Sequence, residues 1–383
     1  MSATPSPEPT RTIDAFLSGV REEVRSLPLY NAGVSSDYVR AHYHVQDVAK
    51  LGSNENPYGA SPKVLAAIAE AAPNVGIYPD PFCTDLRALL SRRLDVSPDR
   101  FGFGNGSDDL ISVAVETFLS PGDEVLTLSP SYGLHVIFSQ SFGARVRMVP
   151  LRKDYSFDVP AFIAAITPRT RMIMFSNPSN PVGASMTADD LCRLIAAIPP
   201  STILMFDEAY FDYGAVDSSY PPFLKMLEAS RIPWMVLRTF SKAYGLAGLR
   251  VGYAVASDPA LISLTDRVRG PFNVNRLAQV AAIAALEDTE FIQQCLRRTT
   301  EERSRVARKL EGLGYHPAPS LANFLFFHTR EDASELAKRL FPYGVIVKPW
   351  REPGFTEHIR VSIGAPKHND QFLAALAQVA QPK

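Results

Sequence analysis

Between residues 100 and 256 the chain carries five apolar runs that hardly alternate with polar residues. They are "DEVLTLS" (123–129), "TRMIMFS" (170–176), "STILMFD" (201–207), "PWMVLRTF" (233–240) and "RVGYAVA" (250–256). A strand with one wet face alternates, whereas an unbroken Val/Ile/Leu/Met run is buried on both faces. Helical patterns such as "SDDLISVAVETFL" (107–119) and "TADDLCRLIAAI" (187–198) separate the runs. The predicted class is therefore α/β, a large domain whose mostly parallel sheet is covered by helices. From about residue 276 the pattern changes to a long helical stretch (276–313) followed by "NFLFFHT", "GVIVKPW" and "HIRVSIG" with helices around them. That reads as a separate, smaller α+β C-terminal domain spanning 276–383. The large domain would span 51–275, behind an N-terminal arm (13–50) of one short helix and an extended piece. Ahead of the arm, the polar, Pro-rich residues 1–12 read as a disordered tail.

Charge and cysteine usage narrow the function classes. Thirty-nine basic residues against forty acidic ones give a net charge of −1, so nothing argues for nucleic acid or a membrane surface as partner. Cys83, Cys192 and Cys295 lie far apart, which suits a reducing compartment and excludes a disulfide framework. With no signal-peptide core and no apolar run of transmembrane length, the expected location is cytoplasmic. His42, His44, His135 and the other histidines show no ligand spacing, so no metal is expected and they read as surface or satisfied core residues.

Open α/β sheets bind ligands beyond the carboxyl ends of their strands, so the residues following each run matter most. "SNPSNPVG" (176–183) presents Asn180, and "DEAYFDY" (207–213) presents Asp207 and Tyr210. Ser241 and Lys242 follow the fourth run, and Arg250 opens the fifth. In "FGFGNGSDD" the amides of Gly106, Ser107 and Asp108 would face an anion at a helix start. The same stretch is a poor dinucleotide fingerprint, because Ser107 stands where the third glycine is needed. One lysine, one acid, one phenol, one amide and a phosphate cradle on a single rim describe a cofactor site, and pyridoxal phosphate fits the set. A buried lysine amine has a lowered pKa and bonds covalently to the cofactor. A carboxylate on the pyridine nitrogen keeps the ring an electron sink. Serine, arginine and helix-start amides hold the phosphate.

In this order, "NENPYG", "SNPSNPVG", "DEAY", "SKAYGLAGLRVG" and "IRVSIG" resemble the fold-type-I aminotransferases, and among them the histidinol-phosphate aminotransferase family. The resemblance runs from about Leu27 to the C-terminus. It implies that Lys242 carries the cofactor, Asp207 pairs with the pyridine nitrogen, and Asn180 and Tyr210 bond the 3′-oxygen. It further implies that Ser241, Arg250 and the Ser107–Asp108 backbone hold the phosphate and that Tyr132 stacks on the ring. Arg360 would grip the anionic end of each substrate. Tyr78 of "IYP" would reach the phosphate of a neighbouring subunit's cofactor, and Tyr30 of "LPLY" a neighbour's substrate, in an obligate homodimer with shared sites.

One departure bears on the substrate. Where the family's "GIIVR" strand ends in arginine, this chain has Lys348, a point charge in place of a planar fork, with Trp350 nearby. The expected reaction is transamination of histidinol phosphate with 2-oxoglutarate. An aromatic amino acid donor is the alternative, and a threonine-phosphate decarboxylase ranks third. A cofactor-sensing regulator would need a fused DNA-binding domain and a basic patch, and neither is visible in the sequence.

Overall fold

The computed structural model describes residues 12–379. Twelve strands are formed among them: β1 (Ala49–Lys50), β2 (Phe101–Gly104), β3 (Glu124–Ser129), β4 (Arg145–Pro150), β5 (Thr170–Ser176), β6 (Ile203–Asp207), β7 (Trp234–Thr239), β8 (Gly252–Ala256), β9 (Phe324–His328), β10 (Val345–Ile346), β11 (Lys348–Pro349) and β12 (His358–Ser362). Seven of them build one sheet in the order β2-β8-β7-β6-β5-β3-β4. All neighbours are parallel except β8, which runs antiparallel to both β2 and β7. A second sheet, β11-β12-β9, is antiparallel, and β1 pairs in parallel with β10.

The unbroken apolar runs feed two different cores. On β6, Leu204 and Phe206 join one cluster while Ile203 and Met205 join another, so successive residues leave opposite faces into separate layers of helix. On β5, Ile173 and Phe175 against Met172 and Met174 repeat the division. The sheet is thus dry on both sides, as a parallel sheet requires. The edge strand β4 differs. "RVRMVP" alternates, with Arg145 and Arg147 facing away from the apolar layer, and such charges discourage edge-to-edge pairing. Neither β4 nor the glycine-interrupted β2 follows from the apolar-run pattern.

The division into cores departs from the expected boundaries. The helix Arg276–Glu287 buries Ala278, Ala281, Ala282 and Ala285 in the large core, against the helix Pro62–Ala71. Conversely Ala49 and Leu51 belong to the small core, because β1 pairs with β10 beside the C-terminal helix Pro366–Val379. The chain therefore crosses between cores just before residue 54 and again in the helix Thr289–Gly312, whose Val306 and Leu310 enter the small core. The physical reason is residue size. An alanine face lets a helix lie close on another, and nothing in that face says which core it meets. The expected tail falls outside the described residues, apart from Thr12, which opens the first helix. Ser61 caps the Pro62 helix through the Val64 amide at 3.2 Å, as a Ser-Pro start suggests.

Phe206 is fully buried between the rings of Phe175 (centroids 5.5 Å apart) and Phe223 (5.3 Å) at the middle of the large sheet. Phe206→Ala should cost about 3–5 kcal/mol through lost burial and the cavity left behind. A urea unfolding curve whose midpoint matched that of the parent protein would contradict this packing.

Candidate active site

Register decides where the polar groups meet. Ser176 at the end of β5 pairs with Asp207 at the end of β6, and Asp207 with Leu237 of β7. Further on, Thr239 pairs with Gly252, and Gly252 with Gly104 at the end of β2. Because β8 is antiparallel, its start lies on the same rim as its neighbours' ends, which brings Arg250 beside the helix Ser107–Phe118. Gly252 is needed there, because a Cβ would lie 2.7 Å from the Ser107 amide nitrogen and 2.8 Å from the Gly106 carbonyl carbon. Gly106 has φ +83°, and its own Cβ would stand 2.3 Å from Arg250 Nη2. Two glycines thus let an arginine and a helix N-terminus share one small space.

The rim opens into a cavity of about 740 Å³, within the range of sites for small ligands. Every site residue expected from the sequence lines it except Gly106, just behind Ser107, and Tyr78. Lys242 Nζ lies 3.3 Å from the Ser53 carbonyl oxygen and 5.8 Å from the Tyr210 ring centre. Burial, with the Arg360 charge added, holds the Lys242 amine down at about 8. Roughly a tenth of it is then free base at pH 7, hundreds of times the share of an ordinary lysine.

Asp207 lines the same cavity. Its Oδ1 accepts from the Ala209 amide at 3.0 Å, and its Oδ2 lies 3.2 Å from His135 Nε2. His135 is fully buried, and its Nδ1 has no partner. It is therefore a member of the site and not an ordinary core histidine. The signal available in the sequence was its place one turn after Tyr132 on the helix Gly133–Ser141. Tyr132 in turn donates to Asp108 Oδ1 at 2.9 Å, while Arg250 Nη2 reaches Asp108 Oδ2 at 3.4 Å and Arg250 Nη1 reaches Ser241 Oγ at 3.4 Å.

A second wall comes from the small sheet. Lys348 on β11 and Arg360 on β12 are register partners, so two cations face the cavity side by side. Arg360 donates to Asn180 Oδ1 at 2.8 Å and to the Gly52 carbonyl at 2.6 Å, and its Nε is buried without a partner. Lys348 donates to the Asn31 carbonyl. Burial, with Arg360 adding to it, lowers the Lys348 amine to about 8. Tyr30 lies against its own chain's cavity, 6.4 Å edge-on from the Tyr132 ring, with Lys348 Nζ 6.0 Å from the Tyr30 ring centre. Tyr78 is 76% exposed and stacks on Phe272 away from the cavity. Glu352 also lines the site, accepting from Ser129 Oγ and, at 3.1 Å, from the Ser131 amide. It pins the loop after β11 to the end of β3.

Comparison with known proteins agrees with this architecture. Residues 46–376 match the family model described as aminotransferase class I and II. Histidinol-phosphate aminotransferase 3 of Rhizobium meliloti is 46% identical over 94% of this chain and 97% of its own length. Histidinol-phosphate aminotransferase 1 of Mesorhizobium japonicum is 44% identical over 94% and 98%. The crystal structure of the Sinorhizobium meliloti histidinol-phosphate aminotransferase in complex with pyridoxal-5′-phosphate superposes with a TM-score of 0.86 at 30% identity, covering 95% of this chain and 98% of that one. The chain belongs to the class I and II aminotransferase family, among relatives named histidinol-phosphate aminotransferases.

Proposed function

We propose that this chain is a pyridoxal-phosphate-dependent aminotransferase that moves the amine of histidinol phosphate to 2-oxoglutarate, giving imidazole acetol phosphate and glutamate. One observation carries the reading. A buried amine, a histidine-backed carboxylate, an anion cradle and a pair of cations line a single cavity. The residues fit the cofactor. Gly106 leaves the space that Arg250 occupies, so the Ser107 amide, Ser241 and Arg250 converge on one point suited to a phosphate. When bound, pyridoxal phosphate supplies a protonated pyridine ring that draws electrons from the carbon losing its proton.

The chain's own groups then divide the work. Asp207, fixed by His135 and the Ala209 amide, offers a carboxylate to the pyridine N–H. Lys242 supplies an amine that burial leaves partly unprotonated near neutrality, and it accepts and returns a proton within the cavity. Tyr210 and Asn180, 3.4 Å apart, offer donors to the 3′-oxygen, and Tyr132 gives the ring an aromatic face. Arg360, a cation on the cavity wall, grips the anionic end of either substrate, and Lys348 adds a second charge where the donor carries phosphate.

Lys348 bears on the donor. Its amine is cationic below about pH 8 and neutral above it. Lys348→Met should therefore lower kcat/KM for histidinol phosphate about tenfold or more at pH 7, and phenylalanine less, since a charge-assisted contact is worth about 1.5–3 kcal/mol. The difference between mutant and parent should shrink above pH 8, where the parent loses the charge as well. Equal losses for both donors at pH 7 would remove Lys348 from phosphate recognition. The reaction itself is tested with a panel of histidinol phosphate, phenylalanine, tyrosine and threonine phosphate, following glutamate and CO₂ separately. Glutamate formed fastest from histidinol phosphate is the expected result. Faster turnover of phenylalanine would favour the aromatic reading, which Trp350 and Tyr30 on the cavity wall support.

The active unit is proposed to be a homodimer. Val75 and Ile77 (each 63% exposed), Tyr78 and Phe82 (60%) form an apolar surface on one segment, which is costly to leave in water. Tyr78 is exposed outside its own cavity, and we read it as the residue that would serve a partner's cofactor phosphate. Mixing inactive Lys242→Ala protein with an inactive Tyr78→Phe variant should then recover activity through hybrid dimers. A fully active monomer on sedimentation would contradict this assembly.

A further inference from the structure

Three consecutive residues in the turn after β1 each touch a different reactive group of the site. The Gly52 carbonyl accepts from Arg360 Nη2, the Ser53 carbonyl from Lys242 Nζ, and Asn54 Nδ2 donates to the Tyr210 hydroxyl at 2.9 Å. Asn54 is 1% exposed and held at φ +56°, a conformation that asparagine tolerates better than most residues. Each of its polar groups is engaged. Its amide N–H donates to Ser362 Oγ at 2.8 Å, its side-chain oxygen accepts the Ser362 hydroxyl at 2.7 Å, and its carbonyl accepts from Asn323 at 3.0 Å. Ser362 has one proton, and giving it to Asn54 Oδ1 turns Asn54 Nδ2 toward Tyr210. Asn180 is oriented the same way from the other side. Arg360 occupies its Oδ1, so its Nδ2 faces the Tyr210 oxygen at 3.4 Å.

The consequence lies in the direction of one proton. With two amide N–H groups donating to it, the Tyr210 oxygen has both lone pairs engaged, and its own proton is left for an acceptor in the cavity. Burial pushes the phenol up to about 12, against the pull of Arg360 and of the Asn54 hydrogen bond, so it keeps its proton at working pH. We propose that Asn54 is a positioning residue that fixes the Tyr210 hydroxyl as a donor to the cofactor's 3′-oxygen. Through Ser362, two residues beyond Arg360 on β12, it ties that donor to the strand gripping the substrate anion. The inference rests on the proposed role of Tyr210 and extends it to a residue outside the expected site.

The test reads the cofactor's visible absorption against pH in the holoenzyme without substrate. A donor on the 3′-oxygen draws its negative charge away from the neighbouring lysine-bound nitrogen and so weakens that nitrogen's hold on its proton. Losing the donor therefore raises the spectral pKa. Tyr210→Phe should raise it by about one unit, and Asn54→Gly, which keeps the left-handed backbone without strain, by about half a unit. In the Tyr210→Phe background Asn54→Gly should add nothing. Ser362→Ala, which frees the Asn54 side-chain amide and also removes the acceptor of the Asn54 backbone N–H, should give a smaller rise that also vanishes in that background, and it decides the question if Asn54→Gly does not fold. An unchanged pKa in both Asn54→Gly and Ser362→Ala, or a rise that persists without the phenol, overturns the inference alone. An unchanged pKa in Tyr210→Phe overturns the role of Tyr210 and the inference together.

Discussion

A sheet that is dry on both faces leaves its polar residues only the strand ends. The functional groups on the rim of the large sheet follow from that restriction. Leu204 and Phe206 face one helix layer and Ile203 and Met205 the other, so the first residue of β6 free to be an acid is Asp207, its last. The same holds for Ser176 at the end of β5, for Thr239 at the end of β7 and for Ser241 just after it. Parallel register then sets these ends in one row, and the reversal at β8 adds Arg250 to that row. The fold has collected the groups before any ligand arrives.

What they form is electrostatically unbalanced. Lys242, Lys348, Arg360 and Arg250 line one cavity, and Arg360 contributes to the lowered pKa of both lysines. Charges held together at that cost are relieved by an anion, so the cavity favours ligands bearing phosphate or carboxylate at two places. One place lies at the helix N-terminus beside Arg250, the other between Lys348 and Arg360. Asp207, the carboxylate on the same cavity, is braced by His135. A ligand with phosphate at one end and a protonatable ring nitrogen near Asp207 satisfies both demands.

The large sheet was legible because periodicity reports burial directly, and the strand-end residues were legible because the sheet leaves them no other place. The misses have separate physical causes. β4 escaped because its arginines alternate, and β2 because Gly102 and Gly104 carry no apolar signal. The helix Arg276–Glu287 went to the wrong core because alanines fit either one. His135 and Asn54 act on residues 72 and 156 positions away, and no local pattern reports such a partner.

The central claim is that the buried amine of Lys242 is the group that holds the cofactor. Borohydride reduction of the protein loaded with pyridoxal phosphate, followed by peptide mapping, tests it most directly. The account predicts a single stable label on the peptide containing Lys242. A label on Lys348, or on any other lysine with Lys242 unmodified, would contradict it.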